Sequence, residues 1–175
     1  AVFIAAALVA SGAGSAQTAP VDDPLTRPLP GNPDWLKPQT PVRLYGDTYY
    51  VGSAALSIVL IDTGDGLILI DGALPQSVAT IEANIRQLGF RIEDVRYILN
   101  TEAHYDHSGG LAALARDSGA PVLTSPIGAA ALRAGKVPHD DPQASNIEAF
   151  PPVASARGIG DGEAITLGKV TVKAV

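Results

Sequence analysis

Thr101-Glu102-Ala103-His104-Tyr105-Asp106-His107-Ser108-Gly109-Gly110 decides how this 175-residue chain is read. Four potential metal ligands, Glu102, His104, Asp106 and His107, fall within this one short segment. They follow the apolar run Val95 to Leu99, expected to be a buried strand, and precede Leu111 to Arg116, expected to be a helix. Strand ends and helix starts let a loop aim side chains at one point from a rigid base. In an extended segment Glu102 and His104, two apart, point the same way, whereas the adjacent Asp106 and His107 point in other directions. One loop can thus present two pairs of ligands to two metal ions about 3.5–4 Å apart. Gly109 and Gly110 are expected to let the backbone turn tightly into the following helix. Two of the three histidines of the chain lie here. The third, His139, reads as an ordinary loop residue.

Composition narrows the chemistry. There is no cysteine, which excludes disulfides and thiolate ligands, so a metal must be held by imidazole and carboxylate. That donor set suits zinc. With 46% hydrophobic and 17% charged residues the chain is globular, and its length allows one domain. A net charge of -6 leaves no basic patch to neutralise phosphates, which argues against nucleic acid as a partner.

Ala1 to Ala10 form an apolar run followed by Ser11-Gly12-Ala13-Gly14-Ser15-Ala16. This reads as the core and cleavage site of a secretory signal, too short for the ~20 residues of a membrane span. Residues 1–16 are therefore taken as the remnant of a signal peptide, without its Met and charged start, and the protein is expected to be secreted to the periplasm. Residues 17–41 carry seven prolines and are expected to form an extended arm over the surface, anchored by Trp35.

Residues 42–175 form the domain. Val42 to Tyr45 and Thr48 to Val51 are expected strands around Gly46-Asp47; Ser57 to Ile61 and Leu67 to Ile70 form a second hairpin around Thr63-Gly64-Asp65-Gly66. Val78, Ile81, Ile85 and Leu88 line one face of a helix from about Pro75 to Leu88, stopped by Gly89. Beyond the ligand segment come a strand at Pro121 to Leu123 and a helix capped by Ser125-Pro126 and closed by Gly135. A loop with no clear period spans Lys136 to Gly158, and a hairpin joins Ala164 to Leu167 with Val170 to Val175. Antiparallel strands followed by alternating strands and helices mean an α/β fold with a mixed sheet.

The segment His104-Tyr105-Asp106-His107 resembles the His-x-His-x-Asp-His loop of the metallo-β-lactamase superfamily. The resemblance extends over Tyr49-Tyr50-Val51-Gly52, Leu69-Ile70-Asp71-Gly72-Ala73-Leu74, Leu99-Asn100, Asp141-Pro142-Gln143 and Asp161-Gly162-Glu163. This wider pattern is similar to the third subclass of class B β-lactamases. It implies the N-terminal half of a four-layer αββα sandwich holding two Zn2+ ions. By the match His104 belongs to the first zinc, and Asp106 and His107 to the second. Glu102 stands where the family has its first His and is expected to ligate in its place. Asp71 is a candidate partner behind a ligating His. The family supplies one further His to each zinc, and none follows His139, so residues 42–175 are read as an incomplete domain. Such a chain is expected to bind zinc weakly. A turn like Pro-Gly-His-Thr and another His are expected beyond Val175.

The resemblance implies hydrolysis of a small-molecule β-lactam by a zinc-bound hydroxide, with Asp106 holding the second zinc and orienting the nucleophile. Rival readings are a lactonase or thioesterase on the same fold, a periplasmic binding or scaffolding protein with a degenerate site, and an inactive fragment. The oligomeric state and the range of β-lactams are not legible in the sequence.

Overall fold

The computed structural model describes residues 22–175. The expected signal remnant at 1–16 and the first residues of the expected arm, 17–21, lie outside the described residues. Strand β1 (Val42–Tyr45) turns through Gly46, whose φ of +51° suits glycine, into β2 (Thr48–Tyr50). Strands β3 (Val59–Asp62) and β4 (Leu67–Ile70) are joined by the expected Thr63-Gly64-Asp65-Gly66 turn, closed by the Thr63 hydroxyl donating to the Gly66 carbonyl at 2.8 Å. All three pairings from β1 to β4 are antiparallel.

From β4 onward the pairing becomes parallel, because a helix now carries the chain back between strands. Helix α1 (Val78–Gln87) links β4 to β5 (Val95–Leu99), and a one-turn helix α2 (Tyr105–Ser108) with α3 (Leu111–Ser118) links β5 to β6 (Val122–Thr124). Helix α4 (Pro126–Ala134), capped by the Ser125 hydroxyl and ended by Gly135 at φ +68°, leads towards the short β7 (Arg157–Gly158). One mixed sheet results, in the order β1 to β7.

Register places Tyr49, Leu60, Leu69, Ile98 and Val122 in one row across the sheet. Val78, Ile81 and Ile85 of α1, Leu111 and Leu114 of α3 and Leu132 of α4 bury against this face. Each such side chain contributes roughly 1.5–3 kcal/mol by leaving water. Leu88, expected on the α1 stripe, lies just past the helix and is half-buried. The opposite face meets a separate hairpin, β8 (Ala164–Leu167) and β9 (Val170–Lys173), where Ile165 shares a cavity with Tyr97 and Leu123. The Lys169 amide donates to the Thr63 carbonyl at 3.1 Å, and the Lys169 ammonium pairs with Asp47.

Three expectations are corrected. The arm is not extended throughout: Pro24–Thr26 and Pro33–Leu36 are single 3-10 turns, capped by Asp23 and Asn32. Proline at a first helical position gives up only an amide that has no partner there anyway. The loop between Lys136 and Gly158 hides β7, which at two residues is too short to leave a period. The ligand segment is not extended throughout, since α2 lies inside it.

Candidate metal centre

Asp71, the first residue after β4, lies in the left-handed region at φ 63°, and Ala73 follows at φ 52°. Asp tolerates that conformation through local hydrogen bonding, whereas for Ala it costs roughly 1–2 kcal/mol. The bend is clamped from both sides. The Asp71 amide donates to the Leu99 carbonyl (2.8 Å), the Gly72 amide to the His107 carbonyl (2.8 Å), and the Gly110 amide to the Ala73 carbonyl (3.1 Å). A Cβ on Gly110 would stand 2.3 Å from the Gly72 carbonyl oxygen, and one on Gly109 would stand 2.6 Å from that of Tyr105. Both glycines have right-handed backbone, with φ of -59° and -86°. Close approach of two backbones, not a tight turn, therefore demands glycine here.

This clamp holds the end of β4 against the ligand segment. The Asp71 carboxylate, 4% exposed, accepts four hydrogen bonds. Oδ1 takes the Asn100 amide group at 3.0 Å and the Thr101 backbone N–H at 2.8 Å. Oδ2 takes the Thr101 hydroxyl at 2.7 Å and His107 Nδ1 at 2.9 Å. A buried carboxylate needs such a complete set of donors. Ser108, fully buried, donates from its hydroxyl to the Glu102 carbonyl at 2.9 Å, which ties the start of the segment to its end.

His104 is the N-cap of α2, and His107 lies within that turn. The Glu102 carboxylate sits between the two rings, with Oε2 3.1 Å from His104 Nδ1 and Oε1 3.1 Å from His107 Nε2. Asp106 Oδ2 is 3.8 Å from the same His107 nitrogen. On the far side of His104, Nε2 meets Asp141 Oδ2 at 3.2 Å. An extended reading pairs Glu102 with His104 and Asp106 with His107. The α2 turn instead swings His107 back, so Glu102 contacts both rings. His139 is exposed in its loop.

Each ring thus has one nitrogen against a carboxylate outside the cluster and the other against Glu102. Every one of these carboxylates can only accept, and a neutral ring has a single N–H to give. A neutral ring therefore turns a lone pair towards one of its two carboxylates, whose oxygens stand 2.9–3.2 Å away. Acceptors at that separation repel unless a proton or a metal cation lies between them. The electrostatics agree: the hydrogen bond to Asp71 raises the His107 pKa, helped by the charges of Asp71, Asp106 and Glu102 and opposed by burial. Among the described residues no group of three or more His, Asp and Glu side chains is disposed to hold one ion.

The contact between Asp141 and His104 escaped sequence reasoning. Asp141-Pro142-Gln143 was visible as a motif, but nothing in the chain's order tells that it folds back onto a ring 37 positions earlier.

Similarity to known proteins agrees with this architecture. Residues 54–173 match the family described as the metallo-beta-lactamase superfamily. A solved structure described as the first B3 metallo-beta-lactamase with an active site glutamic acid is 50% identical, with a TM-score of 0.83, covering 87% of this chain and 58% of that one. The Rm3 metallo-beta-lactamase is 48% identical (TM-score 0.79), covering 82% of this chain and 55% of that one. MEM-A1, a subclass B3 metallo-beta-lactamase from a soil metagenome library, is 48% identical (TM-score 0.78), with 80% and 53% covered. The chain thus spans just over half the length of these structures. A mixed sheet with its helices on one face, the ligand segment at the end of β5 and a family match over most of the domain lead to one assignment: the chain belongs to the metallo-beta-lactamase superfamily and is similar to its subclass B3 members.

Proposed function

We propose that this chain supplies part of a dinuclear zinc site in an exported hydrolase that opens the ring of a β-lactam. The observation that carries the reading is the Glu102 carboxylate held 3.1 Å from one nitrogen of each of two histidines, each backed by a further carboxylate. The donor set fits zinc, being imidazole and carboxylate without thiolate. Its spacing fits too: two ligands on one tetrahedral zinc stand roughly 3.3 Å apart, given bond lengths of about 2.0–2.2 Å.

Glu102 and His104 would hold the first ion, and Asp106 and His107 the second. Zinc, when bound, supplies Lewis acidity and a water that is deprotonated near neutral pH. The chain's own residues do the rest. Asp71 faces His107 Nδ1, which would direct Nε2 to the second ion, and the Gly72–His107 and Ala73–Gly110 hydrogen bonds fix the segment to the strand end. Asp106, on the short α2 turn, is suited to orient an attacking water. Glu102 adds negative charge, which lowers the electrophilicity of the first ion compared with a His. The solved relative with an active site glutamic acid supports its place as a ligand.

Export to the periplasm rests on the apolar run Ala1 to Ala10 and its small-residue end. Among the described residues no helix is long and apolar enough to cross a membrane. The test uses the protein at its full natural length, purified and assayed with a carbapenem and with an acyl lactone. Zinc-dependent carbapenem turnover that a chelator abolishes is expected. Turnover of the lactone alone would transfer the protein to the lactonases, and no zinc-dependent turnover of either would overturn the reading.

A further inference from the structure

We infer that Ser108 is a positioning residue for Glu102: its hydroxyl fixes the peptide plane from which that carboxylate reaches both histidine rings. The inference rests on the reading of Glu102 as a ligand of the first ion. Glu102 lies in neither strand nor helix, and its side chain is nearly half exposed. On one side of it the Thr101 backbone N–H is held by Asp71 Oδ1 at 2.8 Å. On the other, the His104 carbonyl accepts the His107 and Ser108 amides at 3.0 and 2.8 Å. Between these anchors, among the described residues, a single hydrogen bond reaches the main chain of Glu102 and Ala103. It runs from the Ser108 hydroxyl to the Glu102 carbonyl, at 2.9 Å.

The direction of this bond is fixed by its neighbours. Ser108 is fully buried, and its hydroxyl has one proton and two lone pairs. A carbonyl can only accept, so the proton goes to Glu102. A lone pair is left facing Asn100 Nδ2 at 3.3 Å. The same Nδ2 gives its other hydrogen to Asp71 Oδ1 at 3.0 Å. Turning the Asn100 amide over would set oxygen against a carboxylate, so it keeps this orientation although its own Oδ1 is buried without a partner. The donors from Asn100 through Ser108 to Glu102 are thus assigned without reference to any imidazole. The ends of β4 and β5 and the α2 turn meet in this relay, and through it the sheet holds the exposed residue that stands between the two rings.

The Ala103 amide shares its peptide plane with the Glu102 carbonyl, so it reports on this bond in metal-free protein of full natural length. Relaxation of 15N is expected to give Ala103 an order parameter near the rigid value of about 0.85 in wild type and below about 0.6 in S108A. The Gly72 and Gly110 amides, held by their own backbone bonds, should not change. S108C, whose thiol is a weak donor, should fall between the two. It decides alone if circular dichroism shows that S108A does not fold. Titration with zinc alone then reads the consequence. Either variant is expected to weaken binding of one of the two ions, by about 10-fold in S108A, and to leave the other unchanged. In a Glu102→Ala background the same substitution should change zinc affinity by no more than about 2-fold, the scatter of independent sites. A role in stability alone would weaken both ions, or weaken one equally with and without Glu102. Either of those zinc results, or an Ala103 order parameter unmoved in a folded variant, overturns the inference. Wild type that binds no zinc overturns the proposed function instead, and the relaxation data then decide the hold on Glu102 by themselves.

Discussion

Asp71 Oδ2 accepts a hydrogen bond from His107 Nδ1 at 2.9 Å, across 36 positions of sequence. The carboxylate is buried, and its three other donors come from Asn100 and Thr101, the residues that lead from β5 into the ligand segment. Asp71 therefore orients a ring and anchors the strand end beneath it at once.

Replacing Asp71 with Ala should cost both stability and metal. Four donors lose their acceptor, and leaving even one such group unpaired costs about 1–3 kcal/mol. Urea denaturation should show a loss of at least that size, and zinc titration an affinity lowered about 10–100-fold. An unchanged midpoint together with unchanged zinc binding would refute the anchoring role.

Glu102→His should restore a neutral ligand at the first site. The added negative charge is then gone, so zinc affinity there should change and the pH optimum of turnover should move to lower pH, because a more electrophilic ion acidifies its water further. Identical titrations and pH profiles would count against Glu102 as a ligand.

Gly110→Ala tests the backbone approach. Its Cβ would meet the Gly72 carbonyl oxygen at 2.3 Å, with the side chain of Val78 close by at 2.9 Å. Neither backbone can retreat without breaking the Gly110–Ala73 or Gly72–His107 hydrogen bond. A loss of about 1–3 kcal/mol is expected by chemical denaturation, as for other overpacked sites. Gly119→Ala, where the added Cβ meets nothing within 4 Å, controls for the loss of a glycine away from the site, although the φ of +73° there carries its own strain.

Glu82, on α1, gives a pH test remote from the candidate ligands. Burial, and then the Asp117 carboxylate beside it, raise its pKa above the ordinary 4.5. The folded state therefore holds a proton that the unfolded chain has already released. Stability from this site is highest below the unfolded value and falls as pH rises through the raised one. Glu82→Gln removes the cost of the buried charge. Its Tm should exceed that of wild type at neutral pH and converge with it near pH 4, followed by thermal melts across that range.

Much of this was legible in the order of residues. Alternation in β3 and β4, the Thr63-Gly64-Asp65-Gly66 turn and the three-four spacing of Val78, Ile81 and Ile85 are local signals, and they appear where local physics puts them. The arm's turns and β7 were missed because a 3-10 turn at proline and a two-residue strand are too short to carry a period.

The ligand segment divides along the same line. Which residues can bind a metal is a property of side-chain chemistry and close spacing, so the sequence alone determined Glu102, His104, Asp106 and His107 as candidates and the superfamily as their setting. That Glu102 lies between both rings, with Asp71 behind one and Asp141 behind the other, depends on long-range contacts and on one turn of helix inside the segment. Only the tertiary structure decided those, because a hydrogen bond across some thirty-six positions is made by folding and leaves no local trace in the chain.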